Sequence, residues 1–346
     1  LFGKWHLGSS PEVGPGRYGF NSSYGSLAGG VDPYNHRYKK GEFSQTWHRD
    51  GAFVEDTGHV TDLIAREALA WIAQRREPWF CYVPFTAVHI PVKAPRPWLD
   101  QYAGERFDDD PLKDRSFRRY AAYASQMDHA VGSLVEALEC AGQLDSTLII
   151  FSSDNGAIEE HPLHHTDVYP GWQEDSPRLG SNRPLRGLKA QLYEGGIRTP
   201  TVLSWRGVLS SGRMSHPVQI VDWMPTLTKL AGCSPETAQR WDGVDIWPLL
   251  TGDEQWPGPR ALSWNFRGGK ARGVRYGDWK LISLEREGGR QFELYNIAED
   301  PGEAEELARK NPGKVDELLE VMAEQMRLDD TDRRDDTDRR DDTEQP

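Results

Sequence analysis

The sequence predicts an α/β protein: a mixed, mainly parallel sheet flanked by helices, followed by a small subdomain built on an antiparallel sheet. Three observations lead there. Residues 147–156 read Thr-Leu-Ile-Ile-Phe-Ser-Ser-Asp-Asn-Gly, a short apolar run bounded by polar residues and Gly. Such a run predicts a buried strand, and strands buried on both faces belong to parallel sheets covered by helices. Strand-like and amphipathic helical segments then alternate, the order of a doubly wound sheet. Beyond residues 251–252 the pattern changes to short strands and turns.

Taking the elements in order, residues 1–8 read as a strand end and a loop. In an extended chain Lys4 and His6 would face one side, where a Lys and a His can bind an anion and move a proton. An exposed Lys beside a hydrogen-bonded His is the plainer reading. Residues 9–51 are rich in Gly, Pro, Tyr and Asn and read as a long loop region, with short strands at Tyr18-Gly19-Phe20 and Tyr34-Asn35-His36. Residues 61–75 form an amphipathic helix with Thr61 as N-cap and Leu63, Ile64, Ala68, Trp71 and Ile72 on one face. Residues 79–85 predict a second buried strand, with His89 just past its end. His89 there is either a proton donor or anion contact, or a loop His packed under Pro91. Residues 114–144 are the longest helical stretch, and the strand at 148–151 follows.

At the end of that strand stand Asp154 and Asn155. Ligands of open α/β sheets bind at the carboxyl ends of strands, and a carboxylate next to a side-chain amide offers two hard oxygen donors suited to Ca²⁺ or Mg²⁺. An Asx turn closing a strand uses the same residue types. Residues 157–184 form a polar loop with His161, His164, His165 and Trp172, without a Cys partner or the spacing of a helical zinc motif. Lys189 is the candidate cation of the segment that follows, and Gly195-Gly196 permits close backbone approach. Residues 201–205 predict a further core strand, and 219–231 a helix. Strands are expected at 261–266, 273–276, 280–284 and 292–295, and a closing helix at 312–327. The organisation expected is a catalytic domain over 1–250, a subdomain over 251–328, and a disordered tail over 329–346 in which Asp-Asp-Thr-Asp-Arg-Arg repeats.

Composition sets outer limits. The chain has 346 residues, 37% hydrophobic and 27% charged, enough for one large domain and a smaller one. Its net charge of −13 argues against a nucleic-acid backbone as partner. The tail alone holds nine acidic and four basic residues. No run reaches the ~18 apolar residues of a membrane span. Three cysteines, Cys81, Cys140 and Cys233, make no disulfide framework. The chain opens on Leu1, in what reads as the middle of a domain, so an N-terminal part, and any signal segment with it, is expected to be absent. Oligomeric state is open.

Several of these stretches together resemble one family, the formylglycine-dependent sulfatases, including the arylsulfatase and N-acetylgalactosamine-sulfatase types. Gly3-Lys4-Trp5-His6-Leu7-Gly8 resembles the family's second signature, and Ser153-Asp154-Asn155-Gly156 its metal-binding strand end. Residues 188–198, Leu-Lys-Ala-Gln-Leu-Tyr-Glu-Gly-Gly-Ile-Arg, resemble its downstream lysine segment. Val88-His89-Ile90-Pro91 is similar to the segment of its active-site histidine. Glu293-Leu294-Tyr295-Asn296 through Asp300-Pro301-Gly302-Glu303 is similar to its C-terminal strand and turn. The resemblance runs from Leu1 to about Met326. It implies an alkaline-phosphatase-like α/β fold and hydrolysis of a sulfate ester, on a carbohydrate or an aryl alcohol. It implies a divalent cation, Ca²⁺ before Mg²⁺, held in part by Asp154 and Asn155. Lys4 and Lys189 would hold sulfate oxygens, His6 would assist breakdown of the sulfated intermediate, and His89 would protonate the leaving group. A glycan or small-molecule sulfate ester is the implied partner, and export from the cytoplasm the implied location.

The family's nucleophile is a formylglycine made from Cys or Ser in a Cys/Ser-x-Pro-x-Arg segment. This sequence holds no such segment: Cys233-Ser234-Pro235 begins like one, but Thr237 stands where Arg is needed. The two aspartates of the family's first strand are missing too. The expectation is therefore that this polypeptide alone does not turn over sulfate esters. A phosphate or phosphonate monoester hydrolase of the same superfamily, and a non-catalytic anion-binding relative, are the rival readings. His165, Trp172, Arg186 and Trp264 are loop candidates for substrate contact among which no spacing selects.

Overall fold

The computed structural model describes residues 1–159, 180–233, 241–253, 258–266 and 268–341, with the side chains of 330–341 left out. His161, His164, His165, Trp172 and the Ser234-to-Thr237 stretch lie outside the described residues. The chain divides into two compact units, the first built on residues 1–147 and the second on residues 148–157 together with the chain from Asn182 onward.

In the first unit, strands β1 (Phe2–Lys4), β2 (Tyr24–Ser26), β3 (Trp47–Arg49) and β4 (Ala52–Phe53) form a sheet in that order. β1 and β2 are parallel, and the remaining pairs antiparallel. Residues 79–85 form no regular strand, yet they run beside β1: the Phe2 and Lys4 amides donate to the Tyr82 and Pro84 carbonyls at 2.9 and 2.8 Å. Pro84 has no N–H to give a ladder, which is why the expected second strand is only an extended neighbour. Helix α1 (Val60–Ile72) presents Val60, Leu63, Ile64 and Ala68 to Phe2, Tyr24 and Trp47, and this is the core of the unit. Its cap is His59, whose side chain accepts from the Thr61 amide at 3.2 Å. Thr61, the expected cap, lies inside the helix because the imidazole supplies the acceptor two residues earlier. Short α2 (Arg96–Asp100) precedes α3 (Pro111–Cys140), which starts three residues before its expected first residue, with Asp110 as cap and Pro111 at its first position. Tyr18 ends a short 3-10 turn and His36 takes a positive φ of 55°, so neither expected short strand forms.

The second unit begins with β5 (Ile149–Ser152), paired antiparallel with β6 (Thr201–Ser204) in a two-stranded sheet. Both strands were expected to be buried. Instead Phe151 is 42% and Val202 61% exposed. Among the described elements, β5 and β6 contact mainly each other, so no third strand or helix removes these side chains from water. Helix α4 (Glu194–Ile197) lies between them in sequence, and α5 (Trp223–Leu230) and α6 (Trp247–Thr251) follow. The expected helix at 219–231 is split: residues Ile220–Asp222 form a 3-10 turn before α5, with Pro225 in the first turn of α5.

Strands β7 (Ala261–Phe266), β8 (Ala271–Tyr276), β9 (Trp279–Arg286) and β10 (Gly289–Asn296) make the expected antiparallel meander. Helix α7 (Pro312–Asp341) packs on it, burying Leu318 and Met322 against Val274, Leu281 and Leu294. The sequence predicts irregular chain from residue 329, whereas α7 continues to Asp341. No Gly or Pro stands between Lys314 and Gln345 to break it.

Candidate functional site

The site residues fall in both units. In the first, β1 delivers Lys4 and then His6. Trp5 is 8% exposed and anchors the turn, its indole N–H donating to the Val13 carbonyl at 2.9 Å. The His6 amide donates to the Leu27 carbonyl at 2.9 Å, and His6 takes φ of 65°. The extended alternation expected of Lys4 and His6 therefore ends at His6. A non-glycine residue at positive φ costs of order 1–3 kcal/mol and marks sites where surroundings over-determine the backbone.

His6 and His89 are brought to the same dipeptide. A Cβ built on Gly29 would lie 3.3 Å from His6 Nε2, and one built on Gly30 would lie 2.5 Å from His89 Nδ1. Both glycines are buried, and their missing side chains are the space the two imidazoles use. His89 is fixed further by Nδ1 at 2.7 Å from the Ile90 carbonyl. A carbonyl only accepts, so Nδ1 carries the proton. Two residues on, Asp32 is 1% exposed and pairs with Lys93. Its Oδ1 also accepts from the Tyr34 and Asn35 amides at 3.1 and 3.2 Å. The Lys93 carbonyl in turn holds His59 Nε2 at 2.9 Å. Burial keeps His59, His36 and His48 below their usual range, His48 at about 4. These three are neutral structural histidines, unlike exposed His6.

In the second unit, Asp154 is exposed and Asn155 half-buried. The Asn155 amide nitrogen donates to the Gly156 carbonyl at 2.9 Å, which leaves its oxygen as the outward acceptor. Gly156 is pressed onto the lysine segment: its amide donates to the Gly196 carbonyl at 3.0 Å, and a Cβ on it would fall 1.7 Å from the Gly195 carbonyl oxygen. Half-buried Lys189 is tied to the same turn, its amide donating to the Ala157 carbonyl at 3.1 Å. Ala190 follows at φ of 69°. Asn182 closes the knot: its Oδ1 accepts from the Ala157 amide at 2.7 Å and its Nδ2 donates to the Ala157 and Gly187 carbonyls at 2.9 and 3.1 Å.

A buried ionic group supports this turn from the meander. Lys280 is fully buried, with Nζ 2.9 Å from Glu194 Oε1 and 2.9 Å from Glu303 Oε1. The second contact lies outside hydrogen-bond alignment. Glu303 Oε2 accepts from the Glu194 amide at 2.7 Å. Burial raises the Glu303 carboxyl above its usual range, against the pull of Lys280. Arg186 is anchored within the unit: it donates to the Tyr295 hydroxyl at 2.7 Å and lies 4.1 Å from the centroid of the Tyr193 ring. Trp264 sits in β7, not in a loop.

Asp154 and Asn155 suit a hard cation in kind, but Ca²⁺ takes six to eight oxygen ligands. Among the described residues no group of three His, Cys, Asp or Glu side chains is gathered to hold a metal. The donors present can thus furnish part of a cation's shell.

One unit thus carries oxygen donors in a segment anchored to that of a lysine, and the other carries two imidazoles beside a glycine pair. The chain belongs to the sulfatase family, whose pattern matches residues 1–233, while the pattern described as N-sulphoglucosamine sulphohydrolase, C-terminal, matches residues 188–331. It is 29% identical over 293 residues to N-acetylgalactosamine-6-sulfatase of Mus musculus, covering 81% of this chain and 51% of that one. Arylsulfatase J of Mus musculus is 27% identical over 380 residues, covering 94% and 59%. The chain thus spans about half the length of these relatives. Among solved structures, Ps i-CgsB in complex with k-i-k-neocarrahexaose superposes with a TM-score of 0.76 at 28% identity, covering 94% of this chain and 70% of that one. The fold is the alkaline-phosphatase-like α/β fold with a C-terminal antiparallel sheet. No helix among the described residues is long and apolar enough to cross a membrane.

Proposed function

We propose that the protein hydrolyses a sulfate ester carried by a glycan, releasing alcohol and sulfate, outside the cytoplasm. The observation that carries this is the knot of the second unit, where backbone hydrogen bonds from Gly156 and Lys189 tie the segment of the oxygen donors to the segment of the lysine. The likeness to a structure in complex with k-i-k-neocarrahexaose supports a glycan over a simple aryl ester.

Sulfuryl transfer, like phosphoryl transfer, depends mainly on positioning and on positive charge around the non-bridging oxygens. Lys4 and Lys189 are assigned to those oxygens. His89 holds its Nδ1 proton on the Ile90 carbonyl, so its Nε2, when protonated, gives a proton to the departing oxygen. His6 serves as the base for the second half of the reaction. A bound Ca²⁺ or Mg²⁺, held in part by Asp154 and the Asn155 oxygen, would supply Lewis acidity. A formylglycine nucleophile is part of the family resemblance.

The test is sulfate release from a sulfated oligosaccharide by the native protein. Loss of about 10²-fold or more in kcat on Lys189→Ala, and loss on chelation restored by Ca²⁺, is expected. Release unchanged by both treatments would overturn the assignment.

A further inference from the structure

The second unit contains a cavity of about 310 Å³ between the meander and α7. β7 is an edge strand of its sheet. Ser263 and Asn265 alternate along it, and Asn265 stands opposite Arg272 on β8. Together these side chains share one face of the sheet. Gln325 and Met326 of α7 and, from the preceding segment, Trp241 and Asp242 complete the walls. The edge is held by Gln219, whose amide donates to the Ser263 carbonyl at 3.0 Å.

Arg272 is the cation of this lining, and it lacks a full set of partners inside the fold. Its Nη1 rests 3.0 Å from the Met326 sulfur, a weak acceptor for a guanidinium. Its Nε is buried and has no acceptor among the described residues. A buried donor left unsatisfied costs about 1–3 kcal/mol, and a guanidinium fork is shaped to receive an oxyanion. Around it the lining offers amides and a hydroxyl, the indoles of Trp241 and Trp264, and the carboxylates of Asp242 and Asp329. One cation beside two carboxylates does not suit a ligand with several negative groups. It suits one with many hydroxyls, one apolar face and one negative group.

We propose that this cavity is a saccharide-binding site separate from the residues assigned to ester hydrolysis, and that it takes one pyranose unit bearing a single sulfate. The ring face lies on Trp241, its hydroxyls pair with Asn265, Gln325, Ser263 and Asp242, and the sulfate is received by Arg272. The volume is that of a small-ligand pocket. The site would hold a second sugar of a polymeric ligand and so raise its effective concentration at the protein.

Binding of glucose 6-sulfate to the native protein is measured by titration calorimetry, with glucose and sodium sulfate as controls. Binding by wild type and by Lys189→Ala alike is expected, since Lys189 belongs to the hydrolytic residues. This arm separates the cavity from the proposed reaction: loss of activity and retention of binding in Lys189→Ala is the expected pair. Arg272→Met and Trp241→Ala should each weaken binding about tenfold or more, the loss of one interaction worth about 1.4 kcal/mol. Gln325→Leu, on the outer helix, gives a second variant should Arg272→Met fail to fold, with a smaller loss expected. Sodium sulfate binding as tightly as the sugar, or binding unchanged in Arg272→Met and Gln325→Leu, would overturn the proposal. So would binding lost only in Lys189→Ala.

Discussion

Replacing Gly30 by Ala tests whether backbone packing places the His89 ring. The added methyl would stand 2.5 Å from Nδ1, 3.0 Å from Cγ and 3.1 Å from Cε1 of His89. Ordinary contact begins near ~3.5 Å, so the ring must retreat by about 1 Å. The Nδ1 contact to the Ile90 carbonyl, 2.7 Å long, would then exceed the ~3.2 Å of a good hydrogen bond. A misplacement of ~1 Å costs on the order of 10²-fold in rate, and overpacking a buried site costs about 1–3 kcal/mol in stability. The assay is kcat on matched alkyl and nitrophenyl sulfates, with the melting temperature measured alongside. If His89 protonates the leaving oxygen, Gly30→Ala should slow the alkyl ester far more than the nitrophenyl ester, whose leaving group needs little protonation. A folded variant that slows both equally would refute the proton-donor role. One that keeps wild-type rates on both would refute the positioning argument. Gly29→Ala is the companion test at His6: its methyl meets the Tyr38 ring at 2.9 Å and His6 Nε2 at 3.3 Å, so the tyrosine ring must give way before His6 does.

Three further outcomes follow from the same contacts. Lys280→Met leaves Glu194 and Glu303 buried without their shared cation and should cost about 3–5 kcal/mol in urea melts. Because burial already holds the Glu303 carboxyl above its usual range, that loss should shrink on acidification, as the neutral acid becomes the folded form, and grow as pH rises. Asn182→Ala removes three hydrogen bonds to Ala157 and Gly187; melting should fall by the equivalent of about 1–3 kcal/mol, and the binding of sulfated substrate should weaken with it. His48 is fully buried and held down to about 4 from 6.5. The unfolded chain therefore takes up its proton first, so stability is whole above pH 6.5 and falls as pH drops toward 4, by roughly 3 kcal/mol for this residue. His48→Asn, which keeps an acceptor for the Gly51 amide, should flatten the pH dependence of urea melting between those limits.

What was legible in the sequence is what local pattern determines. The meander was readable because its strands alternate and its turns carry glycines, Gly277 and Gly288-Gly289 among them, at positive φ. α1 was readable from its apolar stripe, although its cap was misread by two residues because an imidazole did the work of a hydroxyl. The strand at 148–151 was found, but its burial was inferred from composition alone, and the pairing that decides exposure is with residues about fifty positions away. Lys4, His6, His89, Asp154, Asn155 and Lys189 were picked out by type and family likeness. The groups that fix several of them were invisible: nothing local links Gly29-Gly30 to two imidazoles, Asn182 to Ala157, or Lys280 to Glu194 across a separation of 86 residues. Buried ionic and amide clamps of this kind are tertiary, and no periodicity announces them.

The central claim is tested most directly by comparing kcat/KM of the native protein on matched sulfate and phosphate monoesters of one oligosaccharide. The account predicts faster release of sulfate, lost in Lys189→Ala and in His89→Ala. Faster release of phosphate, or sulfate release that survives both substitutions, would contradict it.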